Sequence, residues 1–242
     1  MCLVAVAHRV FDRYPLIVAA NREEDHLRPT LPAAFWPDAP DILGGRDELL
    51  GGTWLAISRS GRFAAVTNLR GVPRNPSRKS RGELVSGFVR GETSAVDYIA
   101  AIEHQADDYS PFHLYAGRFD RDLALMSQTA LTLGSGIHAL SNAPFGERWP
   151  KVETAENALA GMATGSSART IADQLLMFLA SPPVHGDPTR DIFVRGERYG
   201  TRSSTVIIAS KDEVLFIEQS YTANGEAAGR REFTFGWAGA TV

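Results

Sequence analysis

The chain has 242 residues, 44% of them hydrophobic and 22% charged, with a formal net charge of −3. That is long enough to bury a full core, and the acidic balance excludes general nucleic-acid binding. A single cysteine excludes an internal disulfide and points to a reducing compartment, so a cytoplasmic location is expected. The apolar run at the amino end has no basic residues before it. It is far too short for a signal peptide, and no membrane span is expected.

In chain order, Cys2–Val10 and Pro15–Ala20 read as two buried strands joined at Phe11-Asp12-Arg13-Tyr14. Asn21-Arg22-Glu23-Glu24-Asp25 ends the second strand with polar groups. Prolines 29, 32, 37 and 40 mark residues 27–40 as an irregular, extended wrap anchored by Phe35 and Trp36. Gly44-Gly45 and Gly51-Gly52 bracket a turn, and Thr53–Ser58 with Arg62–Asn68 form a hairpin around Ser60-Gly61. Residues 70–81 are a basic, proline-bearing loop with Arg70, Arg74, Arg78, Lys79 and Arg81.

Ser80-Arg81-Gly82-Glu83 has the spacing of a capping box and opens a helix to about Val89; Thr93 or Ser94 opens a second. Strands follow at His113–Phe119, Leu123–Gln128 and Gly136–Ser141, then helices at Lys151–Met162 and Ser167–Ala180. A long loop, Ser181–Tyr199, precedes three closing strands at Ser204–Ala209, Val214–Gln219 and Glu232–Trp237. The order lacks regular β-α-β alternation, which predicts an α+β layered fold in one domain spanning 1–242.

Cys2 stands where removal of the initiator methionine makes it the first residue. A thiol of pKa about 8.5 and an α-amine of pKa about 8 then share one residue, so proton exchange between them costs little near neutral pH. That is the arrangement of an activated N-terminal nucleophile. Such a nucleophile needs oxyanion donors and charged groups to hold amine and substrate. Polar clusters interrupt strand ends at Asn21-Arg22-Glu23-Glu24, Thr67-Asn68, Leu140-Ser141-Asn142 and Tyr199–Ser204. Each alone reads first as a turn or cap, and it is their recurrence at strand ends together with Cys2 that points to a site. No His/Cys pair has metal-ligand spacing, so no metal is expected.

Several segments carry a resemblance to a known family. They are Met1-Cys2-Leu3, Ala19-Ala20-Asn21-Arg22, Gly44-Gly45-Arg46-Asp47, Gly51-Gly52-Thr53-Trp54-Leu55, Thr67-Asn68, Leu140-Ser141-Asn142, Trp149-Pro150-Lys151-Val152 and Tyr199-Gly200-Thr201-Arg202-Ser203-Ser204-Thr205. In this order they resemble the Asn-Arg-Asp-Glu motif proteins, the transport-and-Golgi-organisation family, across nearly the whole chain. The resemblance implies a four-layer αββα sandwich of N-terminal nucleophile hydrolase type. It also implies a candidate hydrolase of an amide or related acyl bond, acting through a thioester. Carried over by position, Cys2 attacks with its own amine as base. Asn21, Arg22 and Glu24 orient the terminus or substrate, Asn68 and Asn142 supply oxyanion donors, and Arg202 lowers the thiol pKa.

The alignment around the motif fits both Asn21–Glu24 and Arg22–Asp25. Two positions depart from the family pattern. Glu23 stands in the usual Asp place, moving the charge by about one C–C bond, ~1.5 Å, and His113 replaces an Asn and is left without a role. The alternative the family implies is a non-catalytic carrier of haem or an acyl-CoA, with Arg74, Arg78 and Lys79 receiving phosphate or propionate groups. No cofactor is required, haem being only a possible ligand. The expected partner is a small molecule, with oligomeric state left open.

Overall fold

The computed structural model describes residues 2–72, 75–162 and 165–238. In chain order the elements are β1 (Cys2–Phe11), β2 (Tyr14–Asp25), β3 (Thr30–Trp36), β4 (Ala39–Asp47), β5 (Leu55–Ser58), β6 (Arg62–Asn68), α1 (Gly82–Arg90), α2 (Ala95–Glu103), β7 (Phe112–Arg118), β8 (Leu123–Met126), β9 (Ala130–Leu133), β10 (Gly136–Ser141), α3 (Pro150–Ala160), α4 (Ala168–Leu179), β11 (Tyr199–Ala209), β12 (Glu213–Tyr221) and β13 (Ala227–Gly236). They divide between two compact units, each an antiparallel sheet with two helices, which makes the chain α+β.

The first unit holds the residues through Arg28, Ser135–Ser141 and Arg148–Gly236. Its six strands run in the order β10-β1-β2-β11-β12-β13. Alternation along the strands sorts the side chains onto two faces. Leu3, Ala5, Ile17, Ala19, Val206 and Ile208 pack with Val152, Ala155 and Leu159 of α3 and Ile171, Leu175 and Leu179 of α4. Val4, Val6 and Val18, on the opposite face, are buried as well. This matches the near-continuous apolar character of β1 and β2. Ser167 caps α4, accepting from the Thr170 amide at 3.1 Å. Pro150 takes the first position of α3, where its missing N–H leaves no helical bond unmade.

One boundary in this unit differs from the sequence reading. β2 does not stop at Ala20 but continues through Asn21-Arg22-Glu23-Glu24 to Asp25, paired with β11 from Tyr199↔Asp25 to Ala209↔Leu16. Polar side chains do not end a strand whose backbone has partners on both sides.

The second unit holds Pro29–Gly134, Asn142–Glu147 and the chain from Trp237. Its seven strands, β3 to β9, follow one another in sheet order as in sequence. Leu84, Val85 and Phe88 of α1 and Ile99 and Ile102 of α2 join Ala56, Ala64, Leu114 and Ala116 of the sheet in one core. Arg62 ties α1 to that sheet, its Nε donating to Phe88 O at 2.8 Å and its guanidinium to Thr93 O at 2.7 Å. A cation at the carbonyl end of a helix also suits the helix dipole.

Residues 27–40 correct the irregular wrap. They contribute β3 and the start of β4, an antiparallel hairpin at the sheet edge. Pro32 falls in the register shift between Leu31 and Ala34, and Pro37 in the turn, positions that need no ladder N–H. Gly44 and Gly45 lie inside β4 rather than at a turn. A Cβ on Gly45 would come within 2.1 Å of the Trp54 ring. Gly52 is the turn glycine, with φ +73° and Gly82 carbon 2.5 Å from where a Cβ would stand. The predicted capping box at Ser80 is absent; Arg81 precedes α1 without a side-chain cap. No helix among the described residues is long and apolar enough to cross a membrane.

Candidate functional site

Because the Asn-Arg-Glu-Glu segment is strand, the pleat divides it between the two faces of the first unit's sheet. Cys2 heads β1 and lies directly opposite Arg22 of β2, which in turn lies opposite Ser203 of β11 and, beyond it, Ser220 of β12. Directly opposed residues share a face, so thiol, guanidinium and two hydroxyls form one row across four strands. Arg22 is only 6% exposed. Its guanidinium is 3.8 Å from the Glu24 carboxylate, which also receives Arg28 at 3.7 Å and the Asp25 amide at 2.9 Å. Cys2 is half-buried, its Sγ 4.0 Å from the Glu23 carbonyl oxygen.

Burial pushes the Cys2 thiol above its ordinary pKa; the positive amino end of the chain opposes this, and the charges of Glu23 and Glu24 add to it. Arg202 sits in the bulge between Thr201 and Ser203, and its guanidinium donates to the carbonyls of Asp25 at 3.3 Å and Arg28 at 2.6 Å. It braces the end of β2, where it has backbone oxygens to satisfy.

Asn21 and Glu23 take the other face. Asn21 is buried, its Nδ2 donating to Leu179 O and to Ile192 O, both at 2.9 Å, while its Oδ1 accepts from Ser204 Oγ at 2.6 Å. The Tyr221 hydroxyl donates to the same Ser204 oxygen at 3.1 Å. These three bonds join β2 to α4, to the loop after α4 and to β11. Glu23, 2% exposed, and Lys151, 0% exposed, are buried side chains of β2 and the first turn of α3. Burial raises the Glu23 pKa, with the charge of Lys151 acting against it.

In the second unit, Asn68 ends β6 opposite Phe112, and Asn142 is buried with its carbonyl oxygen accepting from the Arg70 amide at 2.8 Å. The Asn142 Oδ1 has no hydrogen-bond partner among the described residues. The cationic loop is held within its own unit. Arg78 donates to Tyr109 O at 2.5 Å, Lys79 pairs with Asp108 at 2.7 Å, and Arg81 donates to Pro111 O at 3.1 Å. Arg74 lies outside the described residues. His113 does not face solvent. It is buried between Ser127 Oγ at 2.9 Å and Ala143 O at 3.0 Å, and burial lowers its pKa.

Glu23, Lys151, Arg28 and Ser203 are the residues the sequence reading did not select. Ser203 and Lys151 stand inside quoted motif segments, but neither a register nor the burial of a lysine can be read from composition.

The family model described as Transport and Golgi organisation 2 matches residues 1–223. The Transport and Golgi organization protein 2 homolog of Bos taurus is 30% identical over 239 residues, covering 86% of this chain and 87% of that protein. The homolog of Homo sapiens is 29% identical over 243 residues with the same coverage, and the protein of Drosophila melanogaster 28% over 248. A solved structure of the mutant C2A conjugated bile acid hydrolase from Clostridium perfringens covers 98% of this chain and 97% of its own, at 9% identity and a TM-score of 0.45. The Asn-Arg-Glu-Glu strand and Cys2 thus sit in a chain matched along most of its length, and the protein belongs to the Transport and Golgi organisation 2 family.

Proposed function

We propose that this protein is an N-terminal cysteine hydrolase of an amide or related acyl bond. The observation that carries the reading is Cys2, the one cysteine of the chain, at the head of β1 directly opposite the buried Arg22. With Met1 removed, the α-amine of Cys2 takes the thiol proton as Sγ attacks the acyl carbon. The C–N bond breaks, the amine leaves with that proton, and water then opens the thioester to the acid and the free thiol. With the α-amine as base, the attack needs no preformed thiolate.

In this reading Arg22 and Glu24 orient the polar end of the substrate, and Asn68 and Asn142 keep the oxyanion roles that the family resemblance implies. One domain over 1–242, αββα layering of N-terminal nucleophile type, a reducing cytoplasmic setting and the absence of any required cofactor belong to the same proposal. The carrier alternative loses support from the loop cations, since Arg78 and Lys79 already have partners.

The test is labelling of cell-made protein with iodoacetamide, read by intact and peptide mass. The expected result is a chain lacking Met1 that takes one adduct, on Cys2, faster than N-acetylcysteine at the same pH. A retained Met1, or a Cys2 no faster than the free thiol, overturns the reading.

A further inference from the structure

Tyr199 opens β11 directly opposite Asp25, yet it is 37% exposed and takes no part in the buried core of its unit. Hydrogen bonds hold it instead. The segment around it is tied to the end of β2: the His26 amide donates to Arg198 O at 2.8 Å, and Arg198 Nε to Asp25 Oδ2 at 3.0 Å. Gly200 permits the close approach, since a Cβ there would meet Val194 O at 2.8 Å and His26 Nε2 at 3.1 Å. The Tyr199 hydroxyl then reaches diagonally across the pair and donates to the Glu23 carbonyl oxygen at 2.8 Å. That oxygen is also the acceptor of the Cys2 thiol, whose Sγ stands 4.0 Å away.

Two donors thus share one carbonyl, and the distances decide between them. An O–H···O contact of 2.8 Å is a full-strength hydrogen bond. A thiol is a weak donor, and at 4.0 Å it holds the oxygen loosely. Glu23 lies where the ladder is interrupted: β11 bulges between Thr201 and Ser203, and the pairing of β1 with β2 starts at Cys2↔Arg22. Side chains therefore meet its carbonyl. Without the tyrosine hydroxyl, this partly buried acceptor loses its strong partner, a loss large enough to draw in another donor. The thiol is the donor in reach.

We infer that Tyr199 is a positioning residue for the Cys2 site: by occupying the Glu23 carbonyl, its hydroxyl leaves the thiol proton free to pass to the base. The inference rests on the N-terminal cysteine reading, in which that base is the α-amine of Cys2, and adds to it a side chain from the start of β11.

The experiment compares wild type, Tyr199→Phe and Tyr199→Leu as full chains, with thermal unfolding recorded for each. Because the chain has one cysteine, its infrared spectrum holds one S–H stretching band, identified by its loss in Cys2→Ser. A thiol that donates more strongly absorbs at lower wavenumber. Tyr199→Phe is expected to move the band down and to slow labelling of Cys2 by iodoacetamide at pH 7 about threefold, the contribution of one weak hydrogen bond. Tyr199→Leu, which also lacks the hydroxyl, is expected to do the same. Should Tyr199→Phe not fold, Tyr199→Leu decides alone: a band moved down with slower labelling supports the inference, and any other result overturns it.

An unmoved band or an unchanged rate in folded Tyr199→Phe overturns the inference. A band moved to higher wavenumber overturns it too, since the thiol has then lost a partner rather than gained one. An effect present in Tyr199→Leu and absent from Tyr199→Phe belongs to the ring and has the same consequence. These outcomes leave the proposed hydrolase standing. Wild-type protein that retains Met1, or that labels no faster than N-acetylcysteine, ends the hydrolase reading, while the comparison of variants still decides whether Tyr199 governs the thiol proton.

Discussion

Arg22 lies directly opposite Cys2 across the β1–β2 ladder, and the carboxylate 3.8 Å from its guanidinium belongs to Glu24, two residues along the same face. Thiol, cation and anion are therefore set by one strand register. Glu24 raises the thiol pKa. Replacing it by Gln is expected to speed Cys2 labelling at pH 7 by about two- to fivefold, a modest effect because the carboxylate is partly solvated. Arg22→Ala leaves the Glu24 charge with Arg28 as its remaining partner and slows labelling. Time courses by intact mass check both signs, and a slower Glu24→Gln variant would count against the electrostatic account.

Asn21→Ala is expected to cost about 2–4 kcal/mol of stability, because two buried carbonyls, of Leu179 and Ile192, and the Ser204 hydroxyl lose their partner together. Denaturant unfolding measures it. Labelling of Cys2 in the folded fraction should change less than about twofold, since Asn21 faces the helices and not the thiol.

His113 makes stability depend on pH. Its folded pKa is lowered by burial, so the unfolded chain binds the proton more readily than the folded one. The neutral ring's contribution is complete above the ordinary pKa of about 6.5 and is lost as pH falls through that value towards the folded pKa. Urea unfolding across pH 5–8 should show this fall in the wild type and a flatter curve in His113→Gln.

Asp191 organises the loop after α4. Its Oδ1 accepts from the amides of Val184 and His185, and its Oδ2 from the amide of Asp187, each at 3.0 Å. Burial works to raise its pKa, but these three amides outweigh it and lower the carboxyl below its usual range. The stability so gained is present above the ordinary carboxyl pKa of about 4 and is lost as pH falls through the lower folded value. Asp191→Ala should release the loop at neutral pH and raise tryptic cleavage after Arg190 by about tenfold. An unchanged digestion pattern would show that the loop is held elsewhere.

Much of the architecture is readable from residue order. β10 runs from Gly136 to Ser141, as its short apolar run predicts, and Ser94 and Ser167 cap α2 and α4 from their expected positions. The failures share one cause. The hairpin at residues 30–47 was hidden by prolines that the sheet edge tolerates, and β9 by its four-residue length, Ala130-Leu131-Thr132-Leu133, with no buried side chain. The motif's polar letters concealed five more residues of β2. Local propensity reports side-chain preference, whereas a strand is stabilised by partners distant in the chain.

By itself, the order of residues settles the family, the α+β character, the place of the single thiol and the residue types available to it. It leaves open which of those residues the thiol meets. Consecutive strand residues point to opposite faces, so Asn21 and Glu23 serve the helix layer while Arg22 and Glu24 share the face of Cys2. Nothing in the letters of the motif distinguishes them, because facing is a property of the ladder. The burial of Lys151 has the same origin: a surface residue by type, it is enclosed where α3 packs on the sheet.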